Sequence, residues 1–234
     1  MEASARTDVG LVRAVNEDNY LLGDVLFAVA DGLGGHEAGE IASKMAVDIL
    51  EGYPLSDETD PVNALCEAFT RINAEIYRRS TSCKSCRGMG TTLTALLIQD
   101  GIAYVGHVGD SRAYLVRNNV IYQLTEDHSV VGELMRRGML TNNEAREHPQ
   151  RNLLTRAMGT LPTVDMKVTD AKVEPGDRYI LCTDGLSGTI DDSTILSVVV
   201  SDSAPCSVVD KLIALANQNG GYDNVTVVAV FVGS

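Results

Sequence analysis

The sequence predicts an α+β fold, with two mainly antiparallel sheets packed on each other and flanked by helices. Three features predict it. Apolar runs such as Val25–Ala30, Tyr179–Thr183 and Val225–Val232 lack polar alternation, as strands covered on both faces do. Neighbouring runs are joined by hairpin signals, Asp100-Gly101 and Asn118-Asn119, unlike the alternating βαβ of a dinucleotide fold. Amphipathic helical stretches come in pairs: one begins near Glu37 and one at Asp60-Pro61, then Asp191–Val200 and Pro205–Asn219.

In chain order, Thr7–Arg13 and Tyr20–Phe27 read as strands, the latter turning at Gly23-Asp24. After the Val25–Ala30 strand, Ala38, Ile41, Ala42, Met45, Ala46 and Ile49 form the apolar face of a helix. Asp60-Pro61 starts another, with an acid at the N-cap and proline at the first helical position. Its core stripe is Val62, Leu65, Phe69, Ile72 and Ile76, and Arg78–Gly88 reads as a polar, basic loop. Met89-Gly90-Thr91-Thr92 opens a strand to Gln99. Ile102–Val108, Ala113–Arg117 and Val120–Leu124 follow as further strands. Ser129–Arg137 is weakly helical, and Thr141-Asn142-Asn143-Glu144 is a capping box for a short helix ending at His148-Pro149. Val164–Val173 reads as a strand, and Glu174-Pro175-Gly176-Asp177 turns the chain into Arg178–Thr183.

Composition sets outer bounds. One domain over residues 1–234 is the simplest count, with a subregion at about 128–160. A formal charge of −13 disfavours nonspecific binding to nucleic acid or anionic membrane. The beginning of the chain has no apolar signal-peptide core, and no stretch approaches transmembrane length. Five scattered cysteines suit reduced thiols in a cytoplasm. Cys83-Lys84-Ser85-Cys86 lacks the second pair or nearby histidine of a zinc site, so it reads as a surface loop or a labile disulfide. No cysteine has the Cys-x5-Arg spacing of a thiol phosphatase.

Four carboxylates lie at the edges of four apolar strands, each beside glycine or another small turn residue: Asp31, Asp110, Asp184 and Asp223. Gathered at one end of a sheet, they would repel one another and shift each other's pKa. A hard divalent cation such as Mg²⁺ or Mn²⁺ would offset that repulsion. Arg13 is either an exposed edge charge or a phosphate ligand, for which its fork is suited. Asp18 is either a turn residue or an outer-shell carboxylate that orients metal waters. Between His128 and Thr160 there are five Arg (Arg136, Arg137, Arg146, Arg151, Arg156) against three Glu. That segment is either an ordinary solvated stretch or a flap over a site that receives an anion.

Taken together, the motifs resemble those of the bacterial metal-dependent, type 2C serine/threonine protein phosphatases (the PPM family). The matching residues are Arg13 with Asn16-Glu17-Asp18, Ala30-Asp31-Gly32-Leu33-Gly34-Gly35-His36, Met89-Gly90-Thr91-Thr92, and His107-Val108-Gly109-Asp110-Ser111-Arg112. Asp127-His128-Ser129, Thr183-Asp184-Gly185-Leu186 and Gly221-Tyr222-Asp223-Asn224-Val225-Thr226 complete the set, in the family's order over nearly the whole chain. The resemblance implies a four-layer αββα sandwich with two Mg²⁺ or Mn²⁺ ions at one edge. It implies Asp31, the Gly32 carbonyl, Asp184 and Asp223 as their ligands, and Asp110 with Asp184 at a third, weaker site. Asp18 and Asn224 would lie behind the ligands, and Arg13 would clamp the substrate phosphate. A metal-bridging hydroxide would attack phosphoserine or phosphothreonine esters directly, with no phosphoenzyme. His36 comes four residues after Gly32, not directly after it as in some members, and serves either as the general acid or to order its loop. The expected partners are phosphorylated proteins and a cognate cytoplasmic Ser/Thr kinase, with Arg136 and Arg137 steering acidic substrates. A monomer is expected. The rival readings are a silent phosphoprotein-binding module on the same fold and a calcium-binding structural protein, which would lack hydrolysis.

Overall fold

Apolar strands without polar alternation need cover on both faces, and the computed structural model supplies it with two sheets and two helical layers. It describes residues 1–34, 38–54 and 60–233. The strands are β1 (Glu2–Asp8), β2 (Asp18–Leu22), β3 (Leu26–Leu33), β4 (Gly90–Thr91), β5 (Leu93–Gln99), β6 (Ile102–Val108), β7 (Arg112–Arg117), β8 (Val120–Gln123), β9 (Lys167–Lys172), β10 (Arg178–Cys182) and β11 (Val225–Phe231). The helices are α1 (Gly39–Glu51), α2 (Pro61–Ser82), α3 (Val130–Arg136), α4 (Asn142–Glu147), α5 (Asp184–Ser187), α6 (Asp192–Ser201) and α7 (Pro205–Gln218). One sheet runs β1-β11-β10-β7-β8. The other runs β2-β3-β5-β6-β9, with β4 paired to β3, and the pairings within both are antiparallel.

The two-residue period of each strand divides its side chains between two cores. On β3, Phe27 and Val29 face the other sheet, where they meet Leu115, Tyr179, Leu181, Val228 and Val230. Ala28 and Ala30 face α1 and α2, in a core with Ala42, Ala46, Leu65, Phe69 and Ile72. On β11, Val225, Val227 and Ala229 pack against α6 and α7 through Ile195, Val199, Val208 and Leu212. Helix, sheet, sheet, helix is therefore the layer order, as the resemblance implied. Among the described residues no helix is long and apolar enough to cross a membrane.

Local signals set many boundaries as expected. Asp100, Gly101, Asn118 and Asn119 all adopt positive φ, as tight hairpins require. Asp60 caps α2 through the Asn63 N–H, and Thr141 with Glu144 forms both bonds of the capping box.

Two elements differ from the sequence reading. Thr7–Arg13 is not a strand, because pairing ends at Asp8. There the Asp8 carboxylate takes the Gly10 N–H at 2.9 Å, and the Leu11 N–H turns to the Gly221 carbonyl at 2.8 Å. Arg13 thus lies in a loop between β1 and β2. Arg78–Ser82 is not loop but the last turn of α2. Arg78 pairs with Glu75, the Ser80 and Thr81 hydroxyls bond back to the Tyr77 carbonyl, and Ser80 is buried beside Gly159.

Candidate metal centre

The alternation that fills the space between the sheets with apolar side chains turns polar at one end. Asp18 stands opposite Asp31 in the β2–β3 register. Asp31 follows Phe27 and Val29 on the inter-sheet side, at the point where β3 leaves β5 for β4. Both of its backbone polar groups are fixed by Thr91 and Thr92. The Thr92 hydroxyl accepts the Asp31 N–H at 2.9 Å, and the Asp31 carbonyl takes the Thr92 N–H at 2.9 Å and the Thr91 hydroxyl at 2.8 Å.

Gly32 is needed for space. A Cβ there would fall 2.3 Å from the Gly39 carbonyl oxygen and 2.6 Å from that of Glu17. The start of α1 and the loop after Arg13 are thereby drawn onto the residue that follows Asp31.

Asp31, Asp110 and Asp184 converge, each offering a carboxylate oxygen within 4.8 Å of the others. They come from the end of β3, the turn after β6 and the first turn of α5. Asp223 sits at the rim, where its Oδ2 meets the Arg13 guanidinium at 2.8 Å and its Oδ1 takes the Asn224 N–H at 2.9 Å. Asn224 is buried and clamps the Arg13 loop. Its side-chain oxygen accepts the Glu17 N–H at 2.8 Å, and its amide donates to the Val9 and Val15 carbonyls at 3.0 Å each.

Asp18 is 5 % exposed. Its Oδ2 accepts the hydroxyls of Thr183 (2.8 Å) and Thr226 (2.7 Å), while Oδ1 is buried without a partner. A buried carboxylate oxygen left bare is costly. It fits a group bound in front of it. The donor set is all oxygen and anionic, which suits a hard divalent ion such as Mg²⁺ or Mn²⁺.

Electrostatics agree with that fit. Burial, then the carboxylates of Asp18, Asp184, Asp110 and Asp223, hold the Asp31 carboxyl well above the usual range. Burial, then Asp184 and Asp127, do the same to Asp110. Burial, then Asp223, pushes Asp184 up to about 6. Asp18 goes to about 7 through burial, against the two threonine hydroxyls that pull it down. In the unfolded chain these acids titrate near 3.8. Without metal, the folded state therefore carries the extra protons near pH 6. The stability these groups contribute is full below about pH 4 and is lost as the pH rises through 6 to 7. Divalent ions must displace those protons. Mn²⁺ titration is therefore expected to release protons at pH 6, and fewer at pH 8, where Asp18 and Asp184 are already largely ionised. Calorimetry in two buffers of different ionisation enthalpy reads this, and equal heats in both at pH 6 would contradict it.

Several contributors lie within the motifs quoted above but have no role assigned to them from the sequence. Thr183 and Thr226 acquire their role only by facing Asp18 across the two sheets. Glu17 reaches the same place: its side chain lies against Gly39, and burial followed by Glu40 raises its carboxyl. His107 and His128 stack with ring centroids 4.9 Å apart, and His128 Nδ1 accepts the N–H of Gly109, next to Asp110. Burial holds both rings at about 4, so they stand neutral. Arg112 grips Asp127 with Nε and Nη2 and fixes the start of the 128–160 segment.

That segment is fastened at both ends. Thr91 and Met158 exchange backbone bonds at 3.1 and 2.8 Å, and Val130 and Thr155 bond to Leu153 and His128. Arg136 donates to the Asp127 carbonyl at 2.8 Å, and Arg156 lies 3.4 Å from His128 Nε2. Arg137 caps the C-terminus of α3. His36 lies outside the described residues.

The protein phosphatase 2C family model matches residues 10–134. The chain is 40 % identical to protein phosphatase PhpP of Streptococcus pneumoniae, with 98 % of this chain and 97 % of that one covered. Among solved structures, the serine/threonine phosphatase PstP/Ppp of Mycobacterium tuberculosis superposes with a TM-score of 0.94 at 39 % identity, covering 100 % of this chain and 99 % of that one. The catalytic domain of PstP in complex with two manganese ions superposes with a TM-score of 0.91, at 39 % identity and covering 99 % and 98 %.

Proposed function

The chain belongs to the protein phosphatase 2C family of metal-dependent serine/threonine protein phosphatases, and we propose on that premise how its residues divide the work. Asp31, the Gly32 carbonyl, Asp184 and Asp223 hold two Mg²⁺ or Mn²⁺ ions, with Asp110 and Asp184 available to a third. The observation that carries this reading is the all-oxygen cluster of Asp31, Asp110 and Asp184 within 4.8 Å, backed by the bare Oδ1 of Asp18. When bound, such ions supply positive charge to the phosphoryl oxygens and lower the pKa of coordinated water.

The remaining roles belong to the chain itself. Asp18, anchored by Thr183 and Thr226, orients water with the oxygen it has free. Arg13, whose half-exposed guanidinium pairs with Asp223 at the rim, would grip the substrate phosphate. Asn224 keeps the Arg13 loop at the distance this requires. His36 donates the proton to the leaving serine or threonine oxygen, or orders its loop.

The substrates are phosphoserine and phosphothreonine proteins, and the reaction reverses a Ser/Thr kinase. Five free cysteines support a reducing, cytoplasmic setting. Every proposed ligand comes from one chain, so a monomer suffices. Residues 1–234 act as one phosphatase domain, with 128–160 as a flap. Diffraction at the manganese edge from Mn²⁺-grown crystals tests the ligand set, and ions bound away from Asp31, Asp184 and Asp223 would overturn it.

Arg136 and Arg137 steer acidic phosphopeptides to the site. Arg136 and Arg156 are close enough to His128 to depress its basicity, which places positive charge beside the strand end that carries Asp110. Replacing Arg136 and Arg137 with Gln is expected to lower kcat/KM for an acidic phosphopeptide about five- to tenfold at low salt. Turnover of p-nitrophenyl phosphate should be unchanged, and the gap should close at about 0.5 M salt. Equal losses on both substrates would end this reading.

A further inference from the structure

A second cluster of nucleophilic side chains stands at the C-terminal end of α2. Cys83 caps that helix by donating its N–H to the Arg79 carbonyl, and it opens a single 3-10 turn over Lys84–Cys86. The turn is closed by the Cys86 N–H to the Cys83 carbonyl at 3.2 Å and by the Arg87 N–H to the Lys84 carbonyl at 3.4 Å. This backbone brings both thiols to one side, with Sγ to Sγ at 3.1 Å.

The two sulfurs differ in exposure. Cys86 is 2 % exposed and packs into the core beneath α1 and α2. Cys83 is half-buried and lines a surface groove with Lys84, Arg87 and Thr160. The Ser85 hydroxyl lies 3.1 Å from the Cys83 sulfur. That hydroxyl, followed by Cys86, lowers the Cys83 thiol to about 7, so much of it is thiolate at neutral pH. Burial instead pushes Cys182 up to about 12, which leaves it inert. Two thiols fill only half of a zinc shell, and among the described residues no His, Cys, Asp or Glu joins them to make a group of three.

We propose that Cys83 and Cys86 form a hydroperoxide-oxidisable dithiol, in which Cys83 attacks and Cys86 resolves. The Cys83 thiolate attacks one peroxide oxygen. An S–O bond forms, the O–O bond breaks, and hydroxide leaves with the electron pair. The Cys86 sulfur then attacks the sulfenic sulfur. The S–S bond forms, the S–O bond breaks, and the departing oxygen leaves as water with a proton. Two thiols and one hydrogen peroxide thus give one disulfide and two waters. The sulfurs must close from 3.1 Å to about 2.05 Å, a shift of the size that side-chain rotation supplies. The pair is linked to the acid site through the chain: the Cys86 carbonyl accepts the Met89 N–H at the start of the stretch whose Thr91 and Thr92 hold Asp31.

The test is oxidation of the Mg²⁺-loaded protein with about one equivalent of hydrogen peroxide, followed by alkylation and peptide mass mapping. The expected product is a Cys83–Cys86 disulfide that dithiothreitol reverses, formed about tenfold or more faster than exposed Cys206 is lost. In Cys86→Ser, a sulfenic acid should accumulate at Cys83 and react with dimedone. In Cys83→Ser, oxidation at Cys86 should slow by about tenfold or more. Loss of Cys206 before Cys83, or failure to find the Cys83–Cys86 linkage once the peroxide is consumed, would overturn the proposal.

Discussion

Asp31→Asn is expected to remove at least about a thousandfold of Mn²⁺-dependent kcat/KM while making the metal-free protein more stable. The two effects have one cause. The Asp31 carboxyl is buried among Asp18, Asp184, Asp110 and Asp223, and its pKa stands well above its unfolded value. For a raised acid the folded state binds the proton more tightly than the unfolded state, so at neutral pH the group opposes folding. A neutral isostere removes that opposition. It leaves in place the backbone bonds to Thr91 and Thr92, which do not involve the side chain. A rise in metal-free Tm of about 5 °C is expected, near 2 kcal/mol for a domain of this size. The wild type should overtake the variant once Mn²⁺ is added, because only the wild type gains binding energy from the ion. Thermal melts with and without Mn²⁺, beside phosphopeptide turnover, decide the matter. A variant that loses stability without metal and keeps its Mn²⁺ response would show that Asp31 is an ordinary turn residue.

Gly185→Ala should have the largest effect on folding. Gly185 follows Asp184 in the one-turn helix α5, and a Cβ there would lie 1.9 Å from the Asn224 carbonyl oxygen and 3.2 Å from the Val225 Cα. Both neighbours are backbone at the start of β11, the strand bonded to β1 on one side and β10 on the other, so neither yields easily. Overpacking of this kind costs about 3 kcal/mol, or a Tm loss of roughly 6–12 °C. Activity should fall by about a hundredfold or more even where the variant is folded, since Asp184 and Asp223 flank the clash. Gly101→Ala is the comparison. Its φ of +73° disfavours alanine, a strain absent at helical Gly185, but nothing stands within 4 Å of its Cβ, so it should cost about 1 kcal/mol and leave turnover intact. Equal losses in the two variants would mean that the contact with Asn224 does not limit the site.

Sequence alone determined what neighbours a few residues apart can encode. The Asp100-Gly101 and Asn118-Asn119 turns, the Asp60 and Thr141 caps and the unbroken apolar runs are local chemistry, and all stand where the sequence put them. The same holds for the acids at the strand ends, because a carboxylate after a buried strand is visible without knowing what it faces. Only the tertiary structure decided which of them meet. The gathering of Asp31, Asp110 and Asp184 depends on strand register and on the stacking of two sheets. So does the threonine pair behind Asp18. The Arg13 loop likewise takes its course from Gly221 and Asn224, more than two hundred residues away, which is why Thr7–Arg13 reads locally as a strand and is not one. Local propensity fixes where a chain turns. What lies across the gap between two sheets is fixed by long-range packing, which no short stretch contains.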